Sequence, residues 1–385
     1  MFYLRLAEEA APRLFGPDES GWLERLATEQ DNLRAALDWA LESDGEAALR
    51  LAGALYWFWE RHDDTMEGQA ALTKALALVP TLPEPRDAAG HHRRLSAHAK
   101  AVSGLAATHM NYGDLMATPP LQRASVQLAR ALGEKGWLAF ERSLLALVEV
   151  ITGNPQAAEA AAEESLPLAR ASGDPWALAT TLHWLGEYEA RANGDLATAQ
   201  AELAESVRLY RLMGSAWGTA LCLLSWGGAA SMAGDTAAAR PLLEECLSVF
   251  LERHDPRRAN MARSELAHLE RHEGHVALAQ ALYRQTIMAW EELGNQGAQA
   301  HQLECLAFLA QAEGQSERAA RLLGAAEAAR AAHNSPMWPD QQPEYDRALA
   351  ALRGQLGDAA LASAWAAGRS LTLDAAVALA VSVAN

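Results

Sequence analysis

The stretch that decides the fold is WGGAASMAGDTAAA, residues 226–239. In it the large Trp226 is followed directly by the small Gly227, a Gly-Asp pair begins seven positions later at Gly234, and Ala239 follows after five more. Glycine tolerates the left-handed backbone that ends a helix, and small residues let two helices approach closely. The stretch therefore predicts the end of one helix, a tight turn, and a second helix packed against the first.

The same arrangement recurs along the chain every 40 or 41 residues. Two such turn signals in each period predict a regular alternation of helix and turn, with helices of roughly 15 to 18 residues. The turn between the two helices of each pair carries Gly113, Gly153, Gly194, Gly234, Gly274 and Gly314. The turn about 20 residues later carries Gly133, Gly173, Gly214, His254, Gly294 and Asn334.

Small residues flank the first series of glycines and predict close contact within each pair. The interval from Gly186 to Gly194 is one residue longer than its counterparts, which predicts a local bulge or a shifted cap. On the first helices the small residues are Ala146, Gly186, Gly227, Ala267 and Ala307. On the second helices they are Ala158, Ala199, Ala239, Ala279 and Ala319.

The composition favours helix throughout. The 385 residues include 85 alanines, and half of the chain is hydrophobic, so an all-α fold with a sizeable core is expected. The net charge of −17 and the presence of only three lysines argue against a broad nucleic-acid surface and against polybasic membrane attachment. The N-terminus lacks the pattern of a signal peptide, and no apolar run reaches membrane-spanning length. Cys222, Cys246 and Cys305 are expected to be buried thiols, so a cytoplasmic location is predicted.

The repeat resembles the tetratricopeptide repeat (TPR). The pattern stands also as LGEYEARANGDLATA (185–199) and LAHLERHEGHVALA (266–279), although the period here exceeds the common 34 residues. The resemblance implies a TPR-like α-solenoid, a right-handed superhelix of antiparallel helix pairs. We expect an N-terminal helical region over 1–85, about six repeat pairs over 86–334, and capping helices over 335–385.

The two ends carry a second resemblance. DNLRAALDWAL (31–41), RAARLLGAAEAAR (318–330) and ALASAWAAGRSLTLDAAVALA (360–380) are similar to the C-terminal half of bacterial STAND-type ATPases and of LuxR/AfsR-like, MalT-like regulators. In that family a P-loop ATPase module switches state, the repeats act as sensor, and many members bind DNA through a helix-turn-helix. This sequence has neither a GxxxxGK[ST] stretch nor a basic recognition helix, so it resembles the sensor half alone.

Histidines are the most suggestive polar residues. His268 and His272 are four apart and share a helical face, as zinc-binding histidines do, with His275 beside the following turn. The string is not HExxH, because Glu270 lies two residues after the first histidine, and surface histidines are the better interpretation. With no nucleophile or acid–base signature either, we expect no enzyme activity, no metal and no cofactor.

A solenoid of this kind binds its partners on the concave face, which the first helix of each pair lines. A mixture of aromatic, cationic and anionic side chains there suits a protein, a peptide or a polar small-molecule inducer. Some of these side chains are instead expected to pack between helices. The candidate residues are Phe140, Trp184, Tyr188, Arg191, Met232, His268, Arg271, His301, Glu304 and Phe308.

The first functional hypothesis is a non-catalytic sensor and protein-interaction domain of a STAND-type signalling or transcriptional regulator, linked in the full-length protein to an ATPase or DNA-binding module. The alternative is a free-standing TPR adaptor that assembles other proteins. An apolar patch and a closed groove would favour the adaptor. Trp137, Trp176 and Trp217, near the starts of first helices, are expected to be structural.

Overall fold

The computed structural model describes residues 2–62, 65–112 and 114–382, and this part of the chain is all-α, with no β-strand. Gly113 lies outside the described residues. The helices are α1 (Phe2–Ala10), α2 (Glu19–Thr28), α3 (Gln30–Ser43), α4 (Gly45–His62), α5 (Thr65–Leu78), α6 (Ala88–Tyr112), α7 (Thr118–Leu132), α8 (Lys135–Ile151), α9 (Pro155–Ser172), α10 (Pro175–Tyr188), α11 (Leu196–Met213), α12 (Ala216–Met232), α13 (Thr236–Glu252), α14 (Pro256–His272), α15 (Val276–Glu292), α16 (Gln296–Ala312), α17 (Ser316–Ala332), α18 (Gln342–Leu356), α19 (Asp358–Arg369) and α20 (Leu373–Val381).

The helices from α6 to α17 form six stacked pairs, so the predicted TPR-like solenoid is confirmed. The described glycines of both turn series have positive φ, between 64° and 85°. His254 and Asn334 replace glycine in the second series and adopt the same left-handed conformation, with φ of 54° and 50°. Two left-handed turns in each repeat thus fold the chain back on itself at regular intervals.

Small residues allow the two helices of a pair to touch. A Cβ atom on Gly227 would lie 2.6 Å from the Leu243 side chain, and one on Gly186 would lie 2.6 Å from Leu203. Ala239, on the second helix of its pair, is fully buried. The close packing predicted from the sequence is therefore present, and larger residues at the two glycines would force the helices apart.

The extra residue between Gly186 and Gly194 forms a π-helical turn, Glu189–Asn193, at the end of α10. A π-helical turn accommodates one additional residue inside an otherwise regular helix. Gly194 then ends the helix in the left-handed conformation, as in the other pairs. The predicted bulge is confirmed, and the repeat continues in register beyond it.

Helices at both ends of the chain extend the stack. At the N-terminal end, α4 packs on α6, and α1, α2 and α3 pack on α4. At the end, α19 packs closely on α17, because a Cβ on Gly324 or Gly368 would lie within 2.3 Å of a backbone oxygen of the other helix. The apolar faces at the two ends of the repeat array are thereby covered.

Among the described residues, no single helix combines the length and apolar composition needed to cross a membrane. The pair α19 and α20, bent by 118° at the junction between them, meets both criteria only when the two are taken together.

The stack of helices curves, so that helices near its N-terminal end contact later helices of the repeats. Glu60, at the end of α4, contacts Arg258 at the start of α14, 198 residues later in sequence. Asn295, before α16, donates a hydrogen bond to the backbone oxygen of Asn111, 184 residues earlier. Contacts of this kind form across the inside of a curved solenoid, so they mark its inner side.

Candidate functional site

The candidate site is the inner face of the solenoid, formed by α8, α10, α12, α14 and α16. Consecutive first helices contact one another along α8, α10, α12 and α14, and so present a continuous row of side chains. Two parts of the same chain lie on this row. We name the contacts of Glu19, Glu60 and Arg61 the N-terminal seal, and residues 335–345 the C-terminal strap.

The N-terminal seal is built around buried charges. Glu60 accepts a hydrogen bond from Arg257 at 2.9 Å and is paired with Arg258, which also bonds Asp255 at 3.0 Å. Glu60 and Arg258 are 9% and 5% exposed, so the solvent scarcely screens these charges. Each carboxylate is therefore paired with at least one guanidinium, and Arg258 serves both, as buried ionic groups require.

Glu19 makes a second set of contacts at the start of α12. Its carboxylate accepts hydrogen bonds from Ser215 Oγ at 2.9 Å and from the backbone N–H of Trp217 at 3.0 Å, and pairs with Arg253 at 2.9 Å. The Arg61 guanidinium lies over the Trp217 ring, 4.3 Å from its centroid. Trp217 therefore helps to hold the N-terminal helices against the repeats.

Aromatic rings on α8 and α10 extend the contact between the N-terminal helices and the repeats. Phe140 is 2% exposed, and its ring centroid lies 6.2 Å from that of Trp57 on α4 and 5.5 Å from that of Trp176. Trp137 stacks on Trp176 with a centroid distance of 5.9 Å. The structure thus places Phe140 in a packed cluster of rings.

The C-terminal strap covers the other end of the inner face. The guanidinium of Arg191 pairs with Asp340 at 3.0 Å and lies 4.5 Å from the ring centroid of Trp338. Trp338 and Trp184 both pack against a buried cluster formed by Leu115, Leu147 and Ile151. Burial alone would raise the pKa of Glu187, but the charge of Arg191, 2.5 Å away, holds it below its usual value.

A second strap contact involves α14. Arg271 holds the Glu344 carboxylate with both terminal nitrogens, one of them at 2.9 Å from Oε2. The same guanidinium lies 5.7 Å from the ring centroid of Phe308, which is half-buried. Burial would raise the pKa of Glu344, but the hydrogen bonds from Arg271 lower it. The strap therefore binds the face as an acidic, aromatic peptide would.

Between these contacts, His268, His301 and Cys305 come together. The ring centroids of the two histidines are 5.4 Å apart, and Nε2 of His301 lies 3.7 Å from Cys305 Sγ. Burial lowers the pKa of His301, but Cys305 and Glu304 outweigh this and raise it to about 10. Burial holds the pKa of His268 well below its usual value, so this ring is neutral at pH 7.

Of three other predicted residues, Glu304 borders this cluster beside His301, and Tyr188 and Met232 lie apart from it. Glu304 is 2% exposed and accepts two hydrogen bonds from Arg330, at 2.6 and 2.8 Å. Tyr188 is buried and packs towards α9, between two helix pairs. Met232 is exposed at the end of α12. The structure therefore divides the predicted set between buried structural contacts, the strap-covered surface and one exposed position, Met232.

Several residues that complete the site were not predicted from the sequence. Trp338, Asp340 and Glu344 belong to the region 335–385, which the sequence predicts only as capping helices. Cys305 was interpreted as a buried thiol, and His268 was paired with His272 on its own helix. The available signal was an arginine three residues before the turn glycine in two repeats, at Arg191 and Arg271, together with a tryptophan and two carboxylates in a proline-rich segment.

Part of the chain is similar in sequence to known proteins. No family model matches the chain. Over 177 residues it is 31% identical to proteins of Mycobacterium tuberculosis and Mycobacterium bovis that are named as candidate HTH-type transcriptional regulators. The match covers 44% of this chain and 19% of each relative, so the chain spans only a small part of their length.

Solved structures of similar shape share little sequence. A STAND protein with a TPR sensor from Pyrococcus horikoshii is 15% identical, with 90% of this chain and 52% of that chain covered and a TM-score of 0.47. A Rap protein in complex with competence and sporulation factor is 11% identical, with coverages of 84% and 100% and a TM-score of 0.49.

A separate cavity of about 600 Å³ lies beside the π-helical turn, between α9 and α11. The cavity is lined by four glutamates and a tyrosine, among other residues: Glu159, Glu163, Glu189, Glu202 and Tyr188. Burial, with the neighbouring carboxylates, raises the pKa of Glu202 to about 7. This cavity is acidic and lies away from the strap.

Proposed function

We propose that the chain is a non-catalytic sensor and protein-interaction module of a signalling or transcriptional regulator. It binds an inducer or a protein partner on the inner face and passes the signal to an ATPase or DNA-binding module in a larger protein. The resemblance of both ends to STAND-type regulators and the match to mycobacterial regulators support this role. Three buried free thiols fit a cytoplasmic location.

The observation that carries the proposal is the strap itself. Arg191 and Arg271 already hold two carboxylates of an aromatic segment, Asp340 and Glu344, while Trp338 packs against the same apolar cluster as Trp184. A partner with carboxylates and an aromatic ring could make the same contacts after the strap moves away. We therefore expect an acidic, aromatic peptide, or an inducer with a carboxylate, to compete with the strap.

A labelled peptide of sequence SPMWPDQQPEYD, residues 335–346, tests this directly. Fluorescence anisotropy should show weak binding to the wild-type chain and at least tenfold tighter binding to Trp338→Ala, in which the strap is loosened. The double change Arg191→Gln and Arg271→Gln should abolish binding, because both carboxylate partners are lost.

The matched control is Arg50→Gln, since Arg50 pairs with Glu8 far from the inner face. In the Trp338→Ala background this change should leave peptide affinity unaltered. Failure of Trp338→Ala to bind the peptide more tightly than wild type would contradict the proposal, as would equal binding of a scrambled peptide.

A further inference from the structure

The inner face carries a set of metal-ligand side chains from two neighbouring repeats. His301 and Cys305 are four residues apart and share one face of α16, and His268 lies opposite them on α14. One donor atom from each residue lies within 4.8 Å of the other two. His301 Nε2 and Cys305 Sγ are 3.7 Å apart.

These distances suit a tetrahedral ion with small adjustments. Zinc lies about 2.0 to 2.3 Å from histidine nitrogen and cysteine sulfur, so neighbouring donors stand roughly 3.3 to 3.7 Å apart around it. The His301–Cys305 pair already has this separation. The third donor, on His268, lies within 4.8 Å of both, so a small movement of this half-buried side chain completes the set.

The surrounding hydrogen bonds orient both rings. Nδ1 of His268 is bonded to the hydroxyl of Tyr283 at 2.7 Å, and Nδ1 of His301 lies 3.3 Å from the Glu304 carboxylate. Arg330 in turn fixes that carboxylate with two hydrogen bonds. Metal-binding histidines characteristically have their second nitrogen held by an oxygen in this way, which leaves Nε2 of each ring for the ion.

We propose that His268, His301 and Cys305 bind one zinc ion that joins the α14–α15 pair to the α16–α17 pair. The Cys305 thiol and the His301 ring, whose pKa of about 10 leaves it protonated at pH 7, each lose a proton to solvent when their bonds to zinc form. Three protein donors leave a fourth position, and the His301 side chain is 23% exposed on the inner face. A water molecule or a donor atom of a bound ligand occupies that position.

Metal titration of the purified full chain, stripped with chelator, tests the site. We expect one equivalent of Zn²⁺ per chain by calorimetry, and one equivalent of Co²⁺ with the near-ultraviolet charge-transfer band of a cobalt–thiolate bond. Cys305→Ser should lose this band. His268→Gln, at a more exposed position, should weaken Zn²⁺ binding at least tenfold even if the cysteine variant folds poorly.

Three further variants separate coordination from general stability. Tyr283→Phe, which removes only the hydroxyl that orients His268, should weaken Zn²⁺ binding by about tenfold. Cys246→Ser and His272→Ala should bind Zn²⁺ and Co²⁺ as wild type does, because neither residue belongs to the set. Less than one equivalent of Zn²⁺ bound to wild type, or an unchanged affinity in His268→Gln, would overturn the proposal.

Discussion

The two ends of the chain cover the same inner face in different ways. The N-terminal seal buries its charges almost completely, as in the pairing of Glu60 with Arg258. The strap makes ion pairs of similar length, such as Arg191 with Asp340, but Trp338 and Asp340 are only partly buried. Water can replace the partner of a half-exposed charge, whereas it cannot reach a fully buried one.

This difference assigns the two contacts different roles. Breaking the seal would leave several guanidinium groups without partners in a dry interior, so the seal fixes the curvature of the solenoid. Releasing the strap would expose Arg191 and Arg271 to water at modest cost, so the strap can be exchanged for a ligand. The first and last of the three predictions below test this contrast, the second tests a buried histidine, and the expected effect decreases from one to the next.

Glu60→Ala should destabilise the protein by about 3–5 kcal/mol, because it leaves Arg257 and Arg258 buried without their shared carboxylate. Chemical denaturation monitored by circular dichroism measures this. Glu8→Ala, which removes the surface partner of Arg50, is the control and should cost about 1 kcal/mol or less. Similar losses in the two variants would refute the buried character of the seal.

The second prediction concerns His183 on α10, which is buried and lies 2.9 Å from Ser225 Oγ. Burial lowers the pKa of His183 to about 4, so folding favours the neutral ring. Its contribution is present above pH 6.5 and is lost as the pH falls towards 4, by on the order of 3 kcal/mol.

Comparing unfolding free energies of wild type and His183→Gln between pH 7 and pH 4 isolates this contribution. The variant should lose less stability on acidification than the wild type. Parallel pH profiles for the two proteins would show that the pKa of His183 is not lower in the folded state than in the unfolded state.

The smallest effect is expected for Trp338→Ala in the strap, at about 1–2 kcal/mol, since the ring is only partly buried. Hydrogen exchange should accelerate over residues 335–345 and remain unchanged in α16. Trp39→Ala is the matched control, because Trp39 is 61% exposed and should matter little. Faster exchange throughout the repeats would mean that the strap is a structural element like the seal.

Much of the fold was predictable because it depends on contacts that are local in sequence. The turn glycines, the small residues at Gly186 and Gly227 and the π-helical turn all act within one repeat. The candidate site was predictable only in part. Placing His268, Arg271 and His301 on first helices needs only the period, but the contact of Arg191 with Asp340 spans 149 residues.

The sequence by itself determined an alternation of paired helices, since periodic glycines and alanines control where each helix ends and how closely it packs. Only the tertiary structure decided that the inner face is covered by the seal and the strap, and that Cys305 meets two histidines. The physical reason is that curvature accumulates from a small rotation at every repeat. The sequence of one repeat does not show the rotation accumulated over all of them. Contacts between distant residues therefore form only when the whole stack is assembled.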